Sequence, residues 1–282
     1  MNLLHISDMH FGPRHWTGNQ EMLLDKLNSY PADIVLNTGD STTDSLESEF
    51  EDAGNFLKAL KSPHVISVVG NHDKRNMRSQ DFFRTYIDKV DLIRPKSPEV
   101  CEKNKIFLDK FTTGIKENFT DCNFVKSIIV KGKKIAVVGL DTTEIFQDNG
   151  FVDEEILTAV SREIEKTTFD NILLLYHHSI FDTDSDPLFN SERVIKLIRK
   201  HGIQHTFCGH THRLALVRST DIINKHSFTQ YKNGSLSSCN IPEDSNMFLY
   251  FEDFASENMK IHLNRVFIEQ NKLRFEEEII TA

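Results

Sequence analysis

Cysteine is scarce in this chain of 282 residues: Cys101, Cys122, Cys208 and Cys239 stand far apart, with no pair at zinc-ligand spacing. In a chain this long such thiols read as reduced side chains and not as a disulfide framework. Basic charge is also short. Lys and Arg number 33 against 42 Asp and Glu, a formal net charge of −9, so no overall cationic surface is offered to long nucleic acid or anionic lipid. No apolar run approaches the roughly 20 residues that cross a bilayer. The opening MNLLHISDMHFG lacks the basic segment and apolar core of a secretory leader, so the expected location is cytoplasmic. Repeats and low-complexity linkers are missing too, and residues 1–282 read as one domain.

What is present is an ordinary globular composition, 39% hydrophobic and 27% charged, enough for a substantial core. Short apolar runs alternate with amphipathic stretches. Strands are predicted over 3–7, 33–39 and 64–70, with helices around 19–30 and 46–61; the second helix places Phe50, Ala53, Phe56, Leu57 and Leu60 on one stripe. This βαβαβ rhythm predicts a parallel sheet with crossover helices. Residues 74–123 show no clean period beyond a helix near 79–90 and read as an insertion or cap over the site. FVKSIIV and KIAVVGL flank Lys131-Gly132-Lys133 as a hairpin. Helices near 153–167 and 190–201 lead into strands at 171–176 and 204–209. From about 213 the pattern alternates in β fashion, a tail that either completes the sandwich or makes a homodimer contact.

The polar residues cluster where strands end. Asp8 and His10 follow the first strand, Asp40 the second, and Asn71, His72 and Asp73 the third. His177 and His178 follow the strand at 171–176, and His210 and His212 the one at 204–209. In open α/β sheets ligands bind at the carboxyl ends of strands. Alternate residues leaving a strand point to one side, so D-x-H and H-x-H spacings can grip one ion. Asp, His and Asn without thiolate suit Mn²⁺, Fe or Zn²⁺. Asp8, His10, Asp40, Asn71, His177, His210 and His212 are too many donors for one tetrahedral ion. They suit two ions about 3.5–4 Å apart that share Asp40. Taken singly, each motif is an everyday turn or surface pattern, and Asn71 and Asp73 could simply cap their own backbone. Joint occurrence at five strand ends carries the reading.

Asp8-Met9-His10, Gly39-Asp40, Gly70-Asn71-His72-Asp73, His177 and Gly209-His210-Thr211-His212, in this order over about residues 1–215, are similar to the motif blocks of the calcineurin-like metallophosphoesterase superfamily. The resemblance implies an α/β fold, a four-layer α/β/β/α sandwich with a dinuclear metal site at the strand C-terminal ends. It implies one metal on Asp8, His10, Asp40 and His212, and another on Asp40, Asn71, His177 and His210, with His178 the alternative to His177. A metal-bridging hydroxide would attack phosphorus and His72 would protonate the leaving oxygen. Asp73 is a candidate orienting carboxylate or, equally, a helix cap.

Three further stretches, TGDSTTDSLESEFEDAGNFLKALKSPHVISVVGNHDKR, GLDTTEIFQDNGFVDEEILTAV and GSLSSC, resemble the bacterial class III cyclic-nucleotide phosphodiesterases. That makes a small phosphodiester, a 3′,5′-cyclic nucleotide, the expected substrate. Arg14, His15 and Trp16 lie in a loop expected to face the site, where Trp16 could stack a base or merely cover a helix. Lys74, Arg75 and Arg78 could steer the anion or stand solvated on the rim. A nuclease is disfavoured by the acidic balance. A lipid-precursor pyrophosphohydrolase would need an apolar cap, for which Phe82, Phe83, Tyr86, Ile87, Phe107 and Phe111 are candidates. A broad-specificity phosphatase could use the same site, and a non-enzymatic scaffold is disfavoured by the complete donor set.

Overall fold

Three hydrophobic layers organise the computed structural model, which describes residues 1–18, 20–97, 100–103, 120–183, 186–239, 245–269 and 272–281. The first sheet is built on the parallel strands β1 (Leu3–Ile6), β2 (Ile34–Asn37) and β3 (Val65–Ser67). The antiparallel strands β10 (Met247–Glu252), β11 (Lys260–Glu269) and β12 (Lys272–Thr281) extend it, in the order β12-β11-β10-β1-β2-β3. The second sheet has the order β4-β5-β6-β7-β9-β8, from β4 (Phe124–Val130), β5 (Lys133–Gly139), β6 (Asn171–Leu175), β7 (His205–Cys208), β8 (Ala215–Asp221) and β9 (His226–Lys232). The C-terminal β pattern therefore completes both sheets. Residues 270 and 271, between β11 and β12, lie outside the described residues.

Apolar strand faces explain the layers. Leu3, Leu36, Ile66, Val137, Leu175, Phe207, Leu249 and Phe251 form one buried cluster between the two sheets. On the outer face of the first sheet, Leu4, Ile6 and Val35 pack with Leu23 and Leu27 of α1 (Gln20–Asn28) and Ala53, Phe56 and Leu57 of α2 (Glu47–Lys58). On the outer face of the second, Val138 and Leu174 pack with Ile156, Val160 and Ile164 of α4 (Glu154–Glu165) and Val194 and Ile198 of α5 (Ser191–Lys200). Helix, sheet, sheet, helix is the four-layer order that the motifs implied. Each fully buried aliphatic side chain contributes about 1.5–3 kcal/mol. The helix-covered faces are mainly apolar, and their buried polar residues, Asn264 of β11, Thr206 of β7 and Gln230 of β9, are hydrogen-bonded to Tyr30 or Tyr176.

Residues after β3 fold into a short helical turn over His72–Lys74, then α3 (Ser79–Phe82), which runs on into a wider π-helical turn over Phe83–Ile87. Phe82 and Phe83 are buried, and Tyr86 and Ile87 pack partly buried against the core. These four side chains thus serve the core and present no open apolar cap. Phe107 and Phe111 lie outside the described residues, as does much of the 74–123 segment read as a cap. No helix among the described residues is long and apolar enough to cross a membrane.

Candidate metal centre

Where β1 and β2 end, the two chains stay zipped: Asp8 N donates to Gly39 O, His10 N to Asp40 O and Phe11 N to Ser41 O, each at 2.9 Å. Asp8, His10, Asp40, His210 and His212 all take left-handed backbone conformations, with φ between 50° and 79°. Such conformations cost non-glycine residues roughly 1–2 kcal/mol each, and strain of this kind collects at functional sites. The glycines beside them are required for close approach. A Cβ on Gly70 would lie 2.1 Å from Asp40 Oδ1, and one on Gly209 would lie 2.3 Å from Asp8 Oδ2.

The donor atoms form two groups. In the first, His10 Nε2 and His212 Nε2 are 2.9 Å apart, Asp8 Oδ1 is 3.3 Å from His212 Nε2, and Asp40 Oδ2 is 3.8 Å from His10 Nε2. In the second, Asn71 Oδ1 is 3.1 Å from His177 Nε2 and 3.2 Å from His210 Nδ1, while Asp40 Oδ2 is 3.4 Å from His177 Nε2. Asp40 Oδ2 belongs to both. The other oxygen of Asp40 accepts from His72 N at 2.8 Å, which holds the carboxylate in that orientation. Asp8 Oδ2 is likewise engaged, by Ser7 Oγ and by His210 N at 3.2 Å, and leaves Oδ1 buried with no hydrogen bond.

This arrangement fits cations. His177 Nδ1 donates to Thr38 O at 2.8 Å, so Nε2 is the atom turned toward Asn71 Oδ1 and Asp40 Oδ2. Amide and carboxylate oxygens converge on that atom across a buried space, as they would on a cation. Burial opposes charge on His177, yet the Asp40 and Asp8 carboxylates override it and lift its pKa to about 9, as expected of a pocket that favours positive charge. Burial lowers His10 to about 3 and His210 to about 4, leaving both neutral and able to donate lone pairs. Three sets of these side chains, Asp8-His10-His212, His10-Asp40-His72 and Asp8-Asp40-His177, each bring ligand atoms within 4.8 Å of one another. The donors are oxygen and imidazole nitrogen alone, the hard-to-borderline set.

His72 sits at the edge of this centre, its ring edge-on to that of His10 at 4.8 Å. Its Nδ1 donates to Thr43 O at 2.6 Å, and its Nε2 accepts from Arg14 Nη1 at 3.2 Å and Arg75 Nη2 at 3.4 Å. Asp73 is fully buried and accepts from Gly70 N, Thr42 N and Thr42 Oγ1 at 2.8–2.9 Å, tying the Gly-Asp loop to the Gly-Asn-His-Asp loop. Desolvation, reinforced by Asp40, raises its pKa to about 7. His178 lies beside the second group, its ring centroid 4.4 Å from that of His210, but has both nitrogens engaged, Nδ1 with Thr142 Oγ1 and Nε2 with Asp148 O, each at 2.8 Å.

Four expected substrate contacts lie elsewhere. Trp16 is 5% exposed and packs in the core beneath the first sheet's helices, which leaves no face for a base. His15 is buried, stacked on Phe11 with ring centroids 3.8 Å apart, and its Nδ1 donates to Met9 O at 2.8 Å; it braces the loop that carries His10. Lys74 is wholly buried, donating to Asp141 Oδ2 at 2.9 Å and Thr120 O at 2.8 Å. Asp121 and Lys103 complete that buried ion cluster, with Lys103 Nζ 3.2 Å from Asp121 Oδ2. Arg78 lies over the Phe82 ring at 4.7 Å. Arg75 remains at the site and also donates to Asp148 Oδ1 at 3.1 Å. Asp148, which accepts from Asn71 Nδ2 at 2.9 Å, has no signature in the sequence beyond an ordinary Asp-Asn-Gly turn.

Comparison with known proteins points the same way. The family model for calcineurin-like phosphoesterase matches residues 1–214. A probable cyclic nucleotide phosphodiesterase of Xenorhabdus bovienii is 21% identical over 234 residues, covering 75% of this chain and 78% of that protein. A probable glycerophosphodiester phosphodiesterase of Arcobacter nitrofigilis is 24% identical over 205 residues, 68% of this chain; the match spans 60% of that relative's length. Among solved structures, the purple acid phosphatase PPD1 from yellow lupin seeds superposes with a TM-score of 0.55 at 10% identity, covering 100% of this chain and 53% of that one. At that identity the likeness concerns the fold.

Proposed function

The chain belongs to the calcineurin-like phosphoesterase family and is a hydrolase of phosphoric esters; from that premise we propose that it cleaves phosphodiesters, with 3′,5′-cyclic nucleotides its substrate class. The observation that carries the reading is the pair of donor groups sharing Asp40 Oδ2, with His72 beside them. Asp8, His10, Asp40 and His212 would hold one cation and Asp40, Asn71, His177 and His210 the other, with Mn²⁺, Fe or Zn²⁺ matching the donor chemistry. Bound there, two such ions supply acidification of water and neutralisation of phosphoryl charge.

The chain's own side chains do the rest. His72 is held by Thr43 O through Nδ1, so Nε2, once it has taken up a proton in place of its arginine contacts, would be the atom that passes that proton to the leaving oxygen. Arg14 and Arg75 aim N–H groups at that same atom and would turn them to the oxygens of an arriving phosphoryl group. Asp73 keeps the loops bearing Asp40 and Asn71 in register. The cyclic-nucleotide assignment is supported by the Xenorhabdus relative's name and by the Gly-Asp-Ser-Thr and Gly-Leu-Asp-Thr-Thr phrases. The Arcobacter relative's name favours a second reading, a glycerophosphodiester.

The test is turnover of 3′,5′-cyclic AMP by Mn²⁺-loaded protein beside glycerophosphocholine and an aryl phosphodiester, with Asn71→Ala and His72→Ala as controls. Cyclic AMP hydrolysis that both variants lose supports the proposal. Glycerophosphocholine cleavage without cyclic AMP cleavage replaces it with the second reading, and the aryl ester alone leaves only the broader phosphodiesterase statement.

A further inference from the structure

We infer that Asp148 is a positioning residue that sets which way the Asn71 amide faces, an inference that rests on the two-cation reading above. An asparagine side chain presents an oxygen on one edge and N–H groups on the other, and only the oxygen can ligate a cation. Here Oδ1 faces His177 Nε2 and His210 Nδ1, and Nδ2 donates to Asp148 Oδ1 at 2.9 Å. Rotating the amide by half a turn would set its oxygen against the Asp148 carboxylate, acceptor against acceptor. Asp148 therefore favours the ligating orientation specifically. The bond joins an amide donor to a carboxylate, the stronger kind of hydrogen bond.

The carboxylate is itself held in place. Its main-chain carbonyl accepts from His178 Nε2 at 2.8 Å, and His178 is fastened at Nδ1 by Thr142 Oγ1. Two residues on, Gly150 lies against the His178 ring, where a Cβ would come within 2.8 Å of it, and Gly150 N donates to Pro187 O at 2.9 Å. His178, the alternative to His177 as a ligand, thus supports the turn that delivers Asp148. The same Oδ1 also accepts from Arg75 Nη2 at 3.1 Å, which joins the Asn71 amide to a guanidinium that reaches His72. A single carboxylate oxygen couples one donor of the second group to the arginine beside the proton carrier.

The side chain of Asp148 is 54% exposed, so its removal leaves the core intact and is read in metal binding. Titration calorimetry of the metal-free full-length protein with Mn²⁺ is expected to show two sites in the wild type. Asp148→Ala should weaken one of them by about 10- to 100-fold and leave the other unchanged. Asp148→Asn, whose amide oxygen still accepts from Asn71, should recover most of the loss. Asn71→Ala should weaken the same site, and the double variant Asn71→Ala/Asp148→Ala should bind no worse than Asn71→Ala alone, because Asp148 acts through Asn71. Wild-type affinities in Asp148→Ala, equal weakening of both sites, additive losses in the double variant, or fewer than two sites in the wild type would each overturn the inference. A wild type that binds two ions yet cleaves no phosphodiester would instead sink the functional reading and leave this one standing.

Discussion

His10 and His212, 202 positions apart in the chain, meet Nε2 to Nε2 at 2.9 Å beside the buried and unbonded Oδ1 of Asp8. A proton shared at that point holds the place a cation would take. Chelation should therefore lower the thermal midpoint and Mn²⁺ should restore it. Ion at about 100 times its dissociation constant contributes about 2.7 kcal/mol, a shift of several degrees by differential scanning fluorimetry. His10→Ala, which removes a donor, should shrink the Mn²⁺-induced shift.

Thr43 O engages His72 Nδ1, and the free Nε2 faces Arg14 and Arg75, so His72 stays outside the two proposed ligand sets. His72→Ala is expected to keep two bound metal ions while kcat falls about 10²- to 10⁴-fold for substrates with poor leaving groups. An aryl ester with an acidic phenol should lose much less. Equal losses across leaving groups would argue that the imidazole acts only by packing.

Arg14 and Arg75 differ in their surroundings. Arg75 lies 3.1 Å from Asp148 and 4.0 Å from Asp44, which already offset its charge, whereas Arg14 shows no carboxylate partner among the described residues. Arg14→Gln should raise KM by about 10- to 100-fold, the worth of a hydrogen bond to a charged group. Arg75→Gln should raise it less. Steady-state kinetics on a single phosphodiester checks the ranking.

Lys74 tests stability and not substrate affinity. Its ammonium is sealed with Asp141, Asp121 and Lys103. Truncating one partner of such a cluster strands a buried charge, at about 3–5 kcal/mol. Urea unfolding of Lys74→Met should show that loss, with KM for any turnover that survives close to that of the wild type.

Acid should weaken the fold through His205. Burial lowers its pKa from 6.5 to about 4, with its ring 4.6 Å from that of Phe254. Between those values the unfolded chain binds a proton that the folded one does not. The stability is full above pH 6.5 and drains as pH falls toward 4. His5, lowered to about 3 by burial against the pull of Asp8, adds to the same slope. Asp73, raised to about 7, acts in the opposite sense over the same range, so the test is the difference: between pH 7.5 and 5 the wild-type urea midpoint should lose more than that of His205→Phe.

Much of the fold was legible because its physics is local. The stripe on α2 and the apolar runs of β1, β2, β3, β6 and β7 mark core faces by period, and the glycine-polar endings mark the places where strands leave the core. The seven donors stood out because each follows such a run. Asp148 did not, since its role depends on where an exposed turn lands relative to Asn71, 77 positions away. Lys74 fits neither of the two roles its sequence offered, and Trp16 fits the second of its two, covering a helix. Lysine is almost never fully buried unless paired, and the partners that compensate Lys74 come from positions 121 and 141, which no local pattern connects to it. Trp16 sits beside basic residues in sequence, but its ring turns into the layer between the first sheet and its helices.

The two donor groups hinge on Asp40 Oδ2, and counting metal ions tests that most directly. Metal analysis of Mn²⁺-saturated protein after removal of free ion should find two ions per wild-type chain and at most one in Asp40→Ala. Two ions retained in Asp40→Ala, or a single ion in the wild type, would contradict a shared carboxylate between two sites.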